Sequence, residues 1–307
     1  MKPETRSYYH QAVRRTVERI IESLDDALDL QCLARAATLS PFHFHRVFRG
    51  MVGETPLELH RRLRLERAAW NLLDSDTSVT SIAFGAGYDT HEAFTRTFRE
   101  RYGCSPTDFR RRARQPRADC ARPPQIEIAA RSAIHFRANG VAPISSYFIE
   151  GDHPMHVDIT DIPELRIATL RHIGPYNRIS EAFARLGDIV GPAGLVGPET
   201  MMLAIYHDDT ETTAQQDLRS DAAITVPADA TIPEGLEEQR IRAGRYARTT
   251  HLGPYEHLAD TWERFMGEWL PHSGNRFGQG VSFEVYRNTP GQVPPEELRT
   301  DIYIPLE

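Results

Sequence analysis

From about residue 8 to 115 the apolar positions recur at helical spacing, and nothing in that stretch alternates with period two. Leu33, Ala34 and Ala37 predict a short helix. Ser40 before Pro41 reads as the N-cap and first-turn proline of the next one. There Phe44, Val47, Phe48 and Met51 follow i, i+3, i+4, i+7 and face a core, while Phe42, His45, Arg46 and Arg49 lie on the opposite face. The plan then returns downstream. Ile82, Ala83 and Ala86 predict a short helix, Gly87-Tyr88-Asp89 a turn, and Phe94 and Phe98 the buried stripe of a second helix. That helix presents His91, Glu92, Thr95, Arg96 and Arg99 outward. Between the two copies, residues 56–73 predict a long amphipathic helix. Its Arg61, Arg62, Arg64 and Arg67 form a solvated or phosphate-facing side.

The pattern changes near residue 116. Pro116, Pro123, Pro124, Gly140, Pro143 and Gly151 mark a connector over 116–153, with one strand expected in 126–136. From Met155 onward, strand-like runs alternate with two amphipathic helices at about 177–190 and 256–270. The runs include Ile205 with Tyr206, and residues 222–226, 246–251, 281–286 and 301–304.

Both halves repeat internally. Phe44, Arg46, Phe48, Arg49, Gly53 and Pro56 recur fifty positions on as Phe94, Arg96, Phe98, Arg99, Gly103 and Pro106. His172-Ile-Gly174-Pro175-Tyr176 recurs at an offset of 79 as His251-Leu-Gly253-Pro254-Tyr255, with Arg166 and Ala168 matching Arg245 and Ala247. The first repeat is two helix-turn-helix units, whose second helices enter major grooves. The second predicts two strand-helix-strand units sharing one sheet, with both helices on one face.

Composition adds three constraints. A chain of 307 residues, 40% hydrophobic and 26% charged, suits two soluble domains. No run of 18 apolar residues exists, which excludes a membrane helix, and the first 19 residues lack the apolar core of a secretory signal. Three scattered cysteines fit a reducing compartment, so a cytoplasmic location is expected. The net charge of −7 hides an asymmetry: residues 1–122 carry +5 and residues 123–307 carry −12. The basic half is almost entirely arginine, whose fork suits phosphate and guanine edges.

Residues 8–112 resemble the AraC/XylS family of transcription regulators. The stretch from Ile82-Ala83 through Gly87-Tyr88, Ala93-Phe94, Arg96, Phe98 and Gly103 to Pro106 is the most specific part of that likeness. The resemblance implies a DNA-binding domain over 1–115 that reads two adjacent major grooves. By position, Phe42, His45 and Arg46 would read bases in the first unit, and His91, Glu92, Thr95 and Arg96 in the second. Arg49 and Arg99 lie on the same outer faces. A carboxylate accepts from cytosine but repels phosphate, so Glu92 fits that role less well.

Residues 154–307 resemble the GyrI-like small-molecule-binding domain. Both His-x-Gly-Pro-Tyr copies carry that likeness, with Gly267-Glu268-Trp269-Leu270, Phe283-Glu284-Val285-Tyr286 and the ending from Leu298 to Pro305. The resemblance implies that Glu284 sits in an aromatic-lined cavity selecting lipophilic cations. Flat rings around a carboxylate attract such cations, and Tyr206, Tyr255, Trp262, Trp269, Phe283 and Tyr286 are the candidate walls. The order, reader first and sensor second, resembles the Rob type of regulator.

The expected fold is therefore an all-α N-terminal domain plus an α+β C-terminal domain with an antiparallel sheet. The expected function is a DNA-binding transcription regulator that senses a small lipophilic or cationic molecule, with RNA polymerase as a further partner. Two readers in one chain make a monomer sufficient, and a dimer stays open. No catalytic residue, cofactor or metal is expected. His172 and His251 are repeat equivalents rather than a metal pair, and no Gly-x-Ser-x-Gly or phosphate loop occurs. The alternatives are a hydrolase of small electrophiles, with Glu284 and a tyrosine as its base, or a module that docks a protein partner.

Overall fold

The structure, a computed structural model, describes residues 3–37, 39, 41–114, 126–130, 132, 134–137, 140–141, 155–208, 210 and 213–307. Ser40, proposed as a cap, lies outside them, as does the side chain of Phe42. The chain packs as two compact units that are not contiguous in sequence. One comprises residues 11–39 and 48–150, the other residues 1–10, 40–47 and 151–307. Among the described residues no helix is long and apolar enough to cross a membrane.

Among the described residues up to 114, the helices run in order α1 (Pro3–Glu22), α2 (Leu30–Ala36), α3 (Pro41–Val52), α4 (Pro56–Asp74), α5 (Val79–Gly85), α6 (His91–Tyr102) and α7 (Pro106–Arg114). The starts of α2, α4, α5 and α6 carry side-chain caps, each contributing about 1 kcal/mol. Asp29 accepts from the Cys32 amide, Ser78 from Ser81 and Thr90 from Ala93. Thr55 and Glu58 form a reciprocal capping box.

In the unit of residues 11–39 and 48–150, Leu65, Ala69 and Leu72 of α4 pack with Ile82, Ala83, Phe94, Phe98 and Phe109. Arg67 on α4 donates to Asp25 at 2.6 Å and to the Gly85 carbonyl at 3.2 Å, tying the α1–α2 turn to the end of α5. Gly87, at φ +77°, makes the turn into α6. That positive φ favours glycine, and a β-carbon there would lie 1.7 Å from Arg64 Nη2, so a larger residue would also have to displace the end of that flexible side chain.

The predicted connector is partly core. Ile126 and Ile128 are buried in the same cluster, and the Trp70 indole donates to the Phe136 carbonyl at 3.0 Å. Glu66, fully buried on α4, accepts the amides of Ile128 and Phe136, both at 2.8 Å. It also meets His135 Nδ1 at 2.9 Å and Arg62 at 3.0 Å, and Arg62 reaches Glu54 at 2.6 Å. Arg62 is therefore a buried counter-ion, not part of a solvated face. Among the described residues of the connector, strand structure is limited to β1 (Phe136–Arg137), which pairs antiparallel with β2 (Gly140–Val141).

The other unit is built on an eight-stranded antiparallel sheet. Its strands are β3 (Asp158–Ile162), β4 (Leu165–Ile173), β5 (Met202–Tyr206), β6 (Arg219–Thr225), β7 (Glu237–Ile241), β8 (Gly244–Leu252), β9 (Phe283–Tyr286) and β10 (Arg299–Pro305). The order is β3-β8-β10-β9-β5-β6-β4-β7. It is two copies, β4-β6-β5 and β8-β10-β9, joined antiparallel through β5 and β9. Each copy borrows its outer strand, since β3 precedes β4 but pairs with β8, while β7 precedes β8 but pairs with β4. Each also buries one aspartate. Asp221 is held by Arg171 and by His207 at 2.7 Å, and Asp301 by Arg287 at 2.7 Å and Thr250 at 2.6 Å.

Helix α8 (Ile179–Val190) packs Ala182, Leu186 and Val190 on Ala168, Leu170, Ala222 and Ile224. In the second copy, α9 (Leu258–Arg264) runs into a π turn at Phe265–Trp269 and a short α10 (Leu270–His272). The opposite face of the sheet has its own core of Ile167, Leu203, Ile205, Tyr246, Phe283, Val285 and Tyr303.

Candidate functional site

Strand β9 positions the carboxylate. Its alternation sends Phe283 and Val285 to one face and Glu284 and Tyr286 to the other. Glu284 is 1% exposed. The Trp262 indole N–H donates to its Oε1 at 2.6 Å, and the Tyr286 and Tyr206 hydroxyls donate to its Oε2 at 2.8 and 3.4 Å. The two tyrosine oxygens are 3.2 Å apart.

The surrounding rings follow the repeat. Tyr176 meets Tyr206 edge-on at 4.8 Å, and their counterparts Tyr255 and Tyr286 meet at 5.5 Å. Phe183, the counterpart of Trp262, meets Tyr286 at 5.5 Å. The Arg46 guanidinium carbon stands 4.5 Å from the centroid of the Trp262 ring.

Burial pushes the Glu284 pKa upward, partly opposed by the hydrogen bonds from Trp262 and Tyr286, the charge of Arg46 and the Tyr206 bond. Burial and the Glu284 charge hold both the Tyr206 and Tyr286 hydroxyls protonated, as donors. An aromatic box around a carboxylate attracts a positive charge, with each cation–π contact contributing about 0.5–2 kcal/mol.

Five of the seven expected cage residues come together: Glu284, Tyr206, Tyr255, Trp262 and Tyr286. Phe283 does not. It lies 1% exposed on the far face of the sheet, stacked on Tyr303 at 4.7 Å, because adjacent strand residues cannot share a face. Trp269 packs on Phe265 at 5.3 Å, and among the described residues no hydrogen bond or ring contact joins it to Glu284. Tyr176 and Phe183 were not among the expected walls, although the 79-residue offset pairs them with Tyr255 and Trp262. His172 and His251 brace their own turns, each with Nε2 within reach of the carbonyl three residues on, at 3.2 and 3.0 Å.

The two reading helices differ in their surroundings. On α6, Glu92, Arg96 and Arg99 are exposed and His91 and Thr95 half-buried, over fully buried Phe94 and Phe98. On α3, Arg49 is exposed, Arg46 is half-buried against Trp262, and His45 is only 7% exposed. His45 as placed therefore presents no edge to a base. His43, next to Phe42 but not itself an expected contact, is buried with its Nε2 3.1 Å from Ser282 Oγ and its ring 3.8 Å from Phe277.

A doubled helix-turn-helix and a duplicated α+β fold around a buried carboxylate define a two-part class, a nucleic-acid reader joined to a small-molecule module. Residues 33–112 match a helix-turn-helix domain, and residues 155–307 match the GyrI-like small molecule binding domain. The chain belongs to the AraC-type regulators that carry a GyrI-like domain.

A DNA gyrase inhibitor of Erwinia billingiae is 30% identical over 157 residues, covering 50% of this chain and 97% of its own. The regulatory protein SoxS of Salmonella typhimurium is 30% identical over 104 residues, covering 34% of this chain and 97% of its own. The uncharacterized HTH-type regulator YbfP of Bacillus subtilis is 35% identical over 103 residues. That match covers 34% of this chain and 35% of YbfP, so the chain spans only about a third of the longer regulator.

Proposed function

We propose that the protein is a DNA-binding transcription regulator whose GyrI-like module binds a lipophilic cation through Glu284. The observation that carries this reading is a fully buried carboxylate inside an aromatic box, in a chain whose other half is a doubled helix-turn-helix. Tyr206, Tyr255, Trp262 and Tyr286 form the expected box, with Tyr176 and Phe183 added by the repeat. On the DNA side, Arg96, Arg99, His91, Glu92 and Thr95 of α6 and Phe42, Arg46 and Arg49 of α3 are the contact residues. Two adjacent major grooves are the target and RNA polymerase is the downstream partner.

The module binds rather than turns over its ligand. Both carboxylate oxygens of Glu284 already accept hydrogen bonds, which weakens it as a general base toward water. The test is quenching of tryptophan fluorescence by tetraphenylphosphonium and by a neutral analogue of the same shape. Saturable quenching by the cation alone, lost in Glu284→Gln, is expected. Equal response to the neutral analogue, or quenching that survives Glu284→Gln, would overturn the reading.

A further inference from the structure

The reading helices α3 and α6 are sequence repeats, so Arg46 and Arg96 hold the same helical position. Arg96 is exposed, whereas Arg46 lies over the indole that bonds Glu284. Its neighbour His43 is buried against Ser282 and Phe277. The first turns of α3 thus pack into the compact unit that contains the cage.

We propose that Arg46 is the cage's resident cation, occupying the Trp262–Glu284 corner until a lipophilic cation displaces it and so releases α3 for DNA. This rests on the reading above, that the cage takes cations. A guanidinium is flat, always charged and weakly hydrated, the properties that an aromatic wall beside a carboxylate selects. Its charge acts on Glu284 in the direction that a bound cation would, favouring the ionised form. His43 cannot take this part, because burial pushes its pKa down to about 3 and keeps it neutral.

Glu284 and Trp262 are 1% and 2% exposed, so the corner is closed while Arg46 lies over it. A second cation on the same face of Trp262 would meet both steric overlap and like-charge repulsion. Arg46 cannot at once cover the indole and fork onto a guanine or phosphate. Ligand and DNA therefore favour the same state, with Arg46 out, and each strengthens the binding of the other.

The experiment uses the full chain and tetraphenylphosphonium as the probe, on wild type, Arg46→Ala, Arg46→Lys and Glu284→Gln. Tryptophan quenching gives the affinity, and amide hydrogen exchange of residues 43–52 gives the state of α3. Arg46→Ala is expected to bind the cation about tenfold tighter than wild type. Arg46→Lys, which keeps the charge but loses the plane, should fall between them. Saturating cation should raise exchange across residues 43–52 in wild type and not in Glu284→Gln. Should Arg46→Ala fail to fold, Arg46→Lys and the exchange measurement decide the matter.

Equal affinities for wild type and both Arg46 variants, with exchange unchanged and quenching still lost in Glu284→Gln, would leave the cation site standing and overturn the resident-cation proposal. Binding to none of the proteins would overturn the cation site itself, and this proposal with it.

Discussion

Ala204 and Glu284 are register partners across the β5–β9 junction, and they are also each other's counterparts in the duplicated fold, whose offset lengthens by one residue after the helices. The pseudo-twofold axis therefore passes between them. Two glutamates there would face each other as like charges in a dry environment, an arrangement that forces one of them neutral. The chain instead carries one carboxylate and one methyl group. Alanine adds nothing that fills the box, so the rings of both copies surround a single charge.

Ala204 is fully buried, and its methyl group faces the box that Glu284 occupies. Ala204→Leu is expected to overfill that volume, costing about 1–3 kcal/mol of stability. It should abolish quenching by tetraphenylphosphonium while leaving DNA affinity in the absence of ligand close to wild type. Chemical denaturation and the quenching titration measure the two effects separately.

Binding of a cation should strengthen with pH. The groups facing Glu284 are Trp262 on α9, Tyr286 on β9, Tyr206 on β5, and Arg46 on α3. Burial raises its pKa above the unfolded value, so its contribution to stability is present below the unfolded pKa and is lost as pH rises through the folded one. A bound cation favours the ionised form. Affinity therefore rises with pH through the same window and levels off above the folded pKa, while Glu284→Gln responds little. Titrations carried upward from the ordinary carboxylate range, about pH 4, follow the rise.

Much of this architecture is legible in the residues, and the failures have physical causes. The two helix-turn-helix units stand out because helical period, caps and turn glycine agree, as at Thr90, Gly87 and Phe94. The duplicated α+β module follows from His172 and His251 in one register. Phe283, expected as a wall of the cage, lies on the far face because strand period sends it opposite its neighbour Glu284. The buried group of Glu54, Arg62, Glu66 and His135 joins residues up to 81 positions apart, and no local spacing announces it. The exchange of β3 and β7 between copies is likewise a tertiary choice.

Arg96 lies exposed on α6, at a position proposed above to read base edges. Arg96→Ala is expected to lose about 1–3 kcal/mol of specific DNA affinity and to relax sequence preference at one position. Arg99→Ala, if it removes a phosphate contact, should weaken binding evenly across sequences and flatten the salt dependence by about one unit of slope. Competition between specific and random duplexes at several salt concentrations separates the two.

Glu66 holds the chain after α7 against α4. Its carboxylate takes the Ile128 and Phe136 amides and pairs with Arg62 and His135, all in a buried environment. Glu66→Gln keeps the shape but turns one accepting oxygen into a donor that faces amide donors. Arg62 retains Glu54, so the loss is less than that of a stranded charge. The expected cost is about 2–3 kcal/mol. The amides of Ile128 and Phe136 should exchange faster than those of Phe94 or Phe98, because the strap can detach while the helical core stays folded. Loss of protection at all four residues together would mean that the strap is part of the helical core's own cooperative unit.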